Sequence, residues 1–79
     1  MKIQILGTGC PKCKKLAKNA EKALGDMGAD GEVQKVKKVN EIMKFGAVVT
    51  PALAVDGRIR AEGRALSAEE IREIIEQEI

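Results

Sequence analysis

The apolar residues change period several times along the chain, and each change marks an element. At the N-terminus Lys2, Ile3, Gln4 and Ile5 alternate and Leu6 follows, the two-residue period of a short strand. Gly7 and Gly9 break that pattern into a turn. From Pro11 the period lengthens: Leu16, Ala20, Ala23, Leu24 and Met27 recur at helical spacing, with lysines between them. Pro11 suits the first helical position, where its missing N–H would have had no partner. Gly25 or Gly28 closes this helix, and the glycine-punctuated stretch GDMGADG reads as a loop. Glu32 to Lys38 predicts a second strand, with Val33 and Val36 as apolar members three apart rather than two. In VNEIMKFG, the residues Val39, Ile42, Met43 and Phe45 predict a short helix capped by Asn40 and closed by Gly46.

The stretch AVVTPALAV is interrupted by Pro51, and Ala52 to Val55 reads as a buried strand. Asp56–Gly57 is a strong hairpin signal, with Arg58 to Glu62 as the returning strand. After Gly63, Ser67 and Glu70 stand at capping-box spacing, and a last helix buries Ile71, Ile74, Ile75 and Ile79. The order is β-α-β-α-β-β-α. A right-handed crossover makes the first two strands parallel, and the hairpin adds two antiparallel ones. The expected fold class is therefore α/β, a four-stranded mixed sheet with helices on both faces in three layers. Residues 1–79 are expected to form one domain.

Composition narrows the function. An apolar content of 44% is enough for a folded core, which argues against disorder. Lysine plus arginine exceed aspartate plus glutamate by only 14 to 12, and Phe45 is the only aromatic residue. Neither the basic excess nor the stacking surface of a nucleic-acid binder is present, so no nucleic-acid partner is expected. The apolar run of MKIQILGTG is too short for a secretory signal, and no segment approaches a membrane span. No membrane partner and a cytoplasmic location are the expectations. In a reducing compartment, two cysteines point to catalysis or metal rather than to a structural staple. The absence of histidine excludes Cys–His catalysis and histidine-based metal sites.

The two cysteines lie in GTGCPKC, two residues apart where the first strand gives way to the first helix. That places Cys10 at a helix N-terminus, where unpaired N–H groups and the helix dipole favour an anion. Lys12, Lys14 and Lys15 add positive charge nearby, with Lys12 between the cysteines; their plainer role is a solvated helix face. Both effects favour thiolate over thiol, and the thiolate is the nucleophile. Cys13 is close enough to form a disulfide with Cys10 and lies further from the terminus, as a slower, resolving thiol would. A zinc site needs about four ligands, and no second CxxC or histidine supplies them, so no metal is expected. Met27 and Met43 read as core residues. Arg58, Arg60 and Arg64 form a basic cluster best read as charge protecting an edge strand.

The strand–CxxC–helix opening, the Thr50–Pro51 pair before a strand, and the hairpin with a terminal helix together resemble the thioredoxin-like superfamily. The likeness is to its smallest members, the glutaredoxin-like thioredoxins, and it covers essentially the whole chain. The resemblance implies a thioredoxin-like fold and a thiol–disulfide oxidoreductase that uses Cys10 to attack and Cys13 to resolve. It needs no cofactor beyond the Cys10–Cys13 disulfide. It makes Pro51 the family's cis-proline facing that disulfide, with Pro11, Lys12 and Thr50 as further support of the active site; a trans proline starting the strand is the alternative for Pro51. Thr50 would pair through its backbone with substrate, and Gly63 would lie near a bound peptide; a simple strand-to-helix turn at Gly63 stands equally open. The implied partners are disulfide-containing proteins and an upstream enzyme of the thioredoxin-reductase type, acting on a monomer. Three features depart from the family. Gly9 stands where full-length thioredoxins carry tryptophan, Pro11–Lys12 replaces Gly-Pro, and no tyrosine is present for glutathione. Glutathione as a partner stays open.

One alternative belongs to another class. Small heavy-metal-binding domains also open strand–loop–CxxC–helix, and two thiolates suit Cu(I). That fold ends on a strand and carries a methionine where this chain has Thr8. A Cu(I) carrier is the second reading.

Overall fold

The computed structural model describes residues 1–28 and 30–78. Its elements run β1 (Lys2–Leu6), α1 (Pro11–Met27), β2 (Glu32–Val36), α2 (Val39–Lys44), β3 (Ala52–Val55), β4 (Arg58–Glu62) and α3 (Ala68–Glu78). The strands form one sheet in the order β2-β1-β3-β4. β1 pairs parallel with β2 and antiparallel with β3, and β3 pairs antiparallel with β4.

Alternation along the strands sorts the core into two layers. Ile3, Ile5 and Leu53 pack with Leu16, Ala17, Ala20, Ala23 and Leu24 of α1 and Ile71 and Ile75 of α3. On the opposite face, Leu6, Val36, Ala52 and Ala54 pack with Ile42 of α2. The expected three layers are therefore present. The odd spacing of Val33 and Val36 now has a reason: a separation of three puts them on opposite faces of β2. Val33 packs on the α1/α3 side and Val36 on the α2 side. Gln4, buried on the α2 side of β1, places its Oε1 to accept from the Gly57 N–H at 3.2 Å.

Ends and turns follow local chemistry. α1 closes at Gly28, whose φ of 61° is the left-handed conformation that glycine adopts at low cost. Of the two expected ends, Gly25 and Gly28, the helix takes the second, so Gly25, Asp26 and Met27 are helical and the loop is shorter than the stretch GDMGADG. Asp56 and Gly57, with φ of 50° and 86°, form the tight turn of the β3–β4 hairpin. Ser67 and Glu70 form the reciprocal capping box. The Glu70 N–H donates to Ser67 Oγ, and the Ser67 N–H donates to Glu70 Oε1, each at 3.2 Å.

Three expectations are corrected. β2 stops at Val36 rather than Lys38, because β1 ends at Leu6: the Gly7 N–H donating to the Val36 carbonyl is the last bond of the pairing, and Lys37 and Lys38 have no paired residue on β1. α2 starts at Val39, so Lys38, extended and making no side-chain cap bond, takes the cap position expected of Asn40. Met43 is 67% exposed and not core. Val39 and Met43, four apart, share the outward face, while Ile42 and Phe45 face the sheet. Ile79, expected in the α3 core, lies outside the described residues.

β4 is an edge strand, and its arginines are held by α3. A bulge at Leu53/Ala54 leaves Arg60 out of the strand pairing. Arg60 donates to Glu78 and Gln77, while Arg58 also pairs with Glu78 and Arg64 pairs with Glu70. The basic cluster thus braces the edge strand and the turn after it against α3.

Candidate active site

Parallel pairing of β1 and β2 brings the C-terminal ends of both strands to one edge of the sheet. Antiparallel pairing brings the start of β3 and the end of β4 to the same edge. Gly7 to Cys10, Thr50–Pro51 and Gly63 therefore meet there, although they are spread over the length of the chain.

Cys10 caps α1. Its backbone is extended, with φ −66° and ψ 164°, and its Sγ accepts the Cys13 N–H at 3.3 Å. Pro11 occupies the first turn, where it forfeits no helical hydrogen bond. Cys10 and Cys13 are joined in a disulfide, with Cα atoms 5.1 Å apart. The two sulfur positions differ in access: Cys10 is partly exposed, and Cys13 is only 5% exposed, packed inside the first turn. Pro11 and Lys12 are exposed on the outer side of that turn.

The Thr50–Pro51 peptide is cis. Pro51 is fully buried and Thr50 is exposed. The Pro51 carbonyl accepts the Gly63 N–H at 2.8 Å, which ties this loop to the end of β4. Gly63 has φ of 72°, and a side chain there would come within 3.0 Å of Val49 Cγ1. Gly63 is thus engaged with the Val49–Pro51 loop from behind. Cys10, Cys13, Thr50, Pro51 and Gly63 meet at this end of the sheet, while Pro11 and Lys12 face solvent.

Three features escaped the sequence reading. Gly7 is buried between Cys13 and Pro51. A Cβ on it would overlap Cys13 Sγ, lie 3.2 Å from Cys13 Cβ and 3.9 Å from Pro51 Cα. Its only signal was a glycine ending the strand before the CxxC. Lys35 and Lys37 join Ile5, Gly7, Gly9, Cys13 and Lys14 around a small cleft beside Cys13. Their signal was the KVKK run, which gains meaning only once β2 is paired with β1. Val48, 87% exposed, and Val49, 49% exposed, form an apolar lip leading to Thr50.

Residues 1–76 match a family model described as a thioredoxin domain. The chain belongs to the thioredoxin domain family. Over 75 residues it is 47% identical to a thioredoxin of Methanothermobacter thermautotrophicus, covering 95% of this chain and 97% of that one. Over 71 residues it is 48% identical to a thioredoxin of Methanocaldococcus jannaschii, covering 90% and 81%. With family membership and the joined CxxC pair together, the protein is a thiol–disulfide oxidoreductase acting on protein disulfides. The Cu(I)-carrier reading has no support from these relatives.

Proposed function

We propose that Cys10 is the attacking thiol and Cys13 the resolving one. Cys10 thiolate attacks one sulfur of a substrate disulfide, forming a Cys10–substrate bond and expelling the other substrate sulfur as thiolate, which takes up a proton. Cys13, deprotonated, then attacks Cys10 Sγ and expels the second substrate thiolate. Two electrons pass to the substrate, and the Cys10–Cys13 disulfide remains. A reductase regenerates the dithiol, so the chain works through its own disulfide without a separate cofactor.

The observation that carries this assignment is the asymmetry at the start of α1. Cys10 Sγ caps the helix and receives an N–H, while Cys13 is buried behind it. An N–H donated to sulfur at a helix N-terminus stabilises thiolate over thiol. A substrate chain can reach Cys10 along exposed Thr50, with its backbone alongside Thr50 and its side chains over Val48 and Val49. Pro51 and Gly63 support that edge from below, and Pro11 holds the first turn. Lys12 contributes charge from the outer side of that turn.

We place residues 1–79 in one domain acting as a monomer in the cytoplasm. No helix among the described residues is long and apolar enough to cross a membrane. The open position on glutathione is tested with the same assay that tests electron supply, by comparing a thioredoxin-reductase couple with a glutathione couple. For the thiol roles, the reduced protein is alkylated with iodoacetamide for increasing times and peptide-mapped. Cys10 should be modified at least about tenfold faster than Cys13. Faster modification of Cys13 would reverse the assignment.

A further inference from the structure

The sheet order gives the active-site edge two unlike flanks. Passing from β2 to β4, the rim carries Lys35 and Lys37 first, then Gly7 with the two cysteines, then Thr50–Pro51. It ends at Gly63 with Val48 and Val49 over it. Lys14, Lys35 and Lys37 line the cleft that reaches Cys13. The adjoining groove along α1 continues with Lys14, Lys15, Lys18 and Lys35, with Glu21 as the carboxylate in its wall. One flank is basic, and the other carries exposed Val48 and Val49, with the Glu62 carboxylate accepting the Val48 N–H at 3.4 Å.

All lysines of the chain precede residue 45, and all arginines follow residue 57. Arg58, Arg60 and Arg64 are paired with Glu78 and Glu70, and Lys2 with Glu32. Lys14, Lys15, Lys18, Lys35 and Lys37 make no ion pair among the described residues. Crowded like charges repel one another and weaken the compact state. Cations without an ion-pair partner, placed in a cleft that reaches Cys13, suit a charge brought by the substrate.

We infer that this flank docks protein substrates whose disulfide is bordered by acidic residues. The substrate's carboxylates lie over Lys14, Lys35 and Lys37, and its less polar side lies over Val48 and Val49. This inference rests on the oxidoreductase reading and adds the substrate class. Opposed charges of this kind steer encounter and fix orientation, chiefly through the association rate, and they weaken as salt rises.

The test uses fully reduced protein in single turnover, so that no reductase is involved. The substrates are three disulfide-bridged peptides of equal length, with glutamates, glutamines or lysines flanking one cysteine. At low ionic strength the acidic peptide should be reduced about tenfold faster than the neutral one, and the basic peptide more slowly. The advantage should shrink to about twofold or less at several hundred millimolar salt. In the Lys35→Glu/Lys37→Glu double variant the acidic-to-neutral ratio should fall about tenfold or invert. Lys2→Glu/Lys22→Glu makes the same change in net charge away from the cleft and should lower that ratio much less. Equal rates for the three peptides, or an equal fall of the ratio in both double variants, would overturn the inference. Failure of wild-type protein to reduce even the neutral peptide would instead overturn the oxidoreductase reading on which it rests.

Discussion

Gly7→Ala places a single methyl where the cysteine pair has no room for it. Gly7 lies outside the left-handed region, so alanine fits its backbone without conformational strain. The cost is steric and local: the new Cβ overlaps Cys13 Sγ and presses on Cys13 Cβ at 3.2 Å. Forcing a methyl into a packed site costs about 1–3 kcal/mol. That cost should differ between redox states. In the disulfide, Cys13 Sγ is tethered to Cys10 and cannot withdraw. In the dithiol it can turn aside, within the limits of its burial. If most of the cost falls on the oxidised form, the reduction potential rises by about 20–60 mV, since 30 mV corresponds to about 1.4 kcal/mol for a two-electron couple. Two measurements close the cycle: urea unfolding of each redox state, and equilibration of the disulfide in a series of thiol–disulfide buffers. The oxidised variant should lose more stability than the reduced one, by the amount the potential rises. Equal losses in both states with an unchanged potential would refute the argument, as would no loss in either.

Two further substitutions probe the supports of the site. Gly63→Ala combines a left-handed φ with an approach to Val49 of 3.0 Å. It should cost about 1–2 kcal/mol or more in urea unfolding and raise KM for a protein disulfide more than it lowers kcat, because it displaces the loop before Pro51. An unchanged KM would show that this loop does not touch substrate. At the start of α3, Ser67→Ala should cost about 1 kcal/mol by removing the cap. The Ser67 backbone N–H, together with the Arg64 charge and the Ser67 hydroxyl, holds the Glu70 carboxyl below its ordinary value, against a smaller opposing effect of desolvation. Folding therefore gains from ionised Glu70 above the unfolded carboxyl pKa, and that gain is lost as pH falls through the lower folded value. Urea midpoints followed from neutral pH into the carboxylate range should fall less steeply for Glu70→Gln than for wild type. Parallel slopes would show that the capping box carries no proton-linked stability.

The elements were legible because each carried its own local signal. Alternation marked β1, helical spacing marked α1 and α3, Asp56–Gly57 marked the hairpin, and Ser67 with Glu70 marked the last helix start. α2 was harder, since Val39 and Met43 offered one apolar stripe and Ile42 and Phe45 another. The choice between them is made by Leu6, Val36, Ala52 and Ala54 across the layer, and these are distant in sequence. The cap at Lys38 shows the same limit, for it forms no side-chain bond that a residue type could announce. Within the site, the cysteines and Thr50–Pro51 could be read from residue types and a family likeness. Gly7 and the cleft lysines could not. Gly7 matters because β1 and α1 bring it against Cys13. Lys35 and Lys37 matter because parallel pairing sets Val36 opposite Leu6 and so carries them beside the cysteines.

The division of labour between the two cysteines is tested most directly by trapping. Reduced Cys13→Ser and Cys10→Ser variants are mixed with a disulfide-containing protein, quenched in acid, and mapped by mass spectrometry without reduction. Cys13→Ser should accumulate a stable one-to-one conjugate through Cys10, because nothing remains to resolve it. Cys10→Ser should form little conjugate and reduce no substrate, its remaining thiol being buried in the first turn of α1. Rapid conjugation through Cys13 in the Cys10→Ser variant, or catalytic turnover by that variant, would contradict the account.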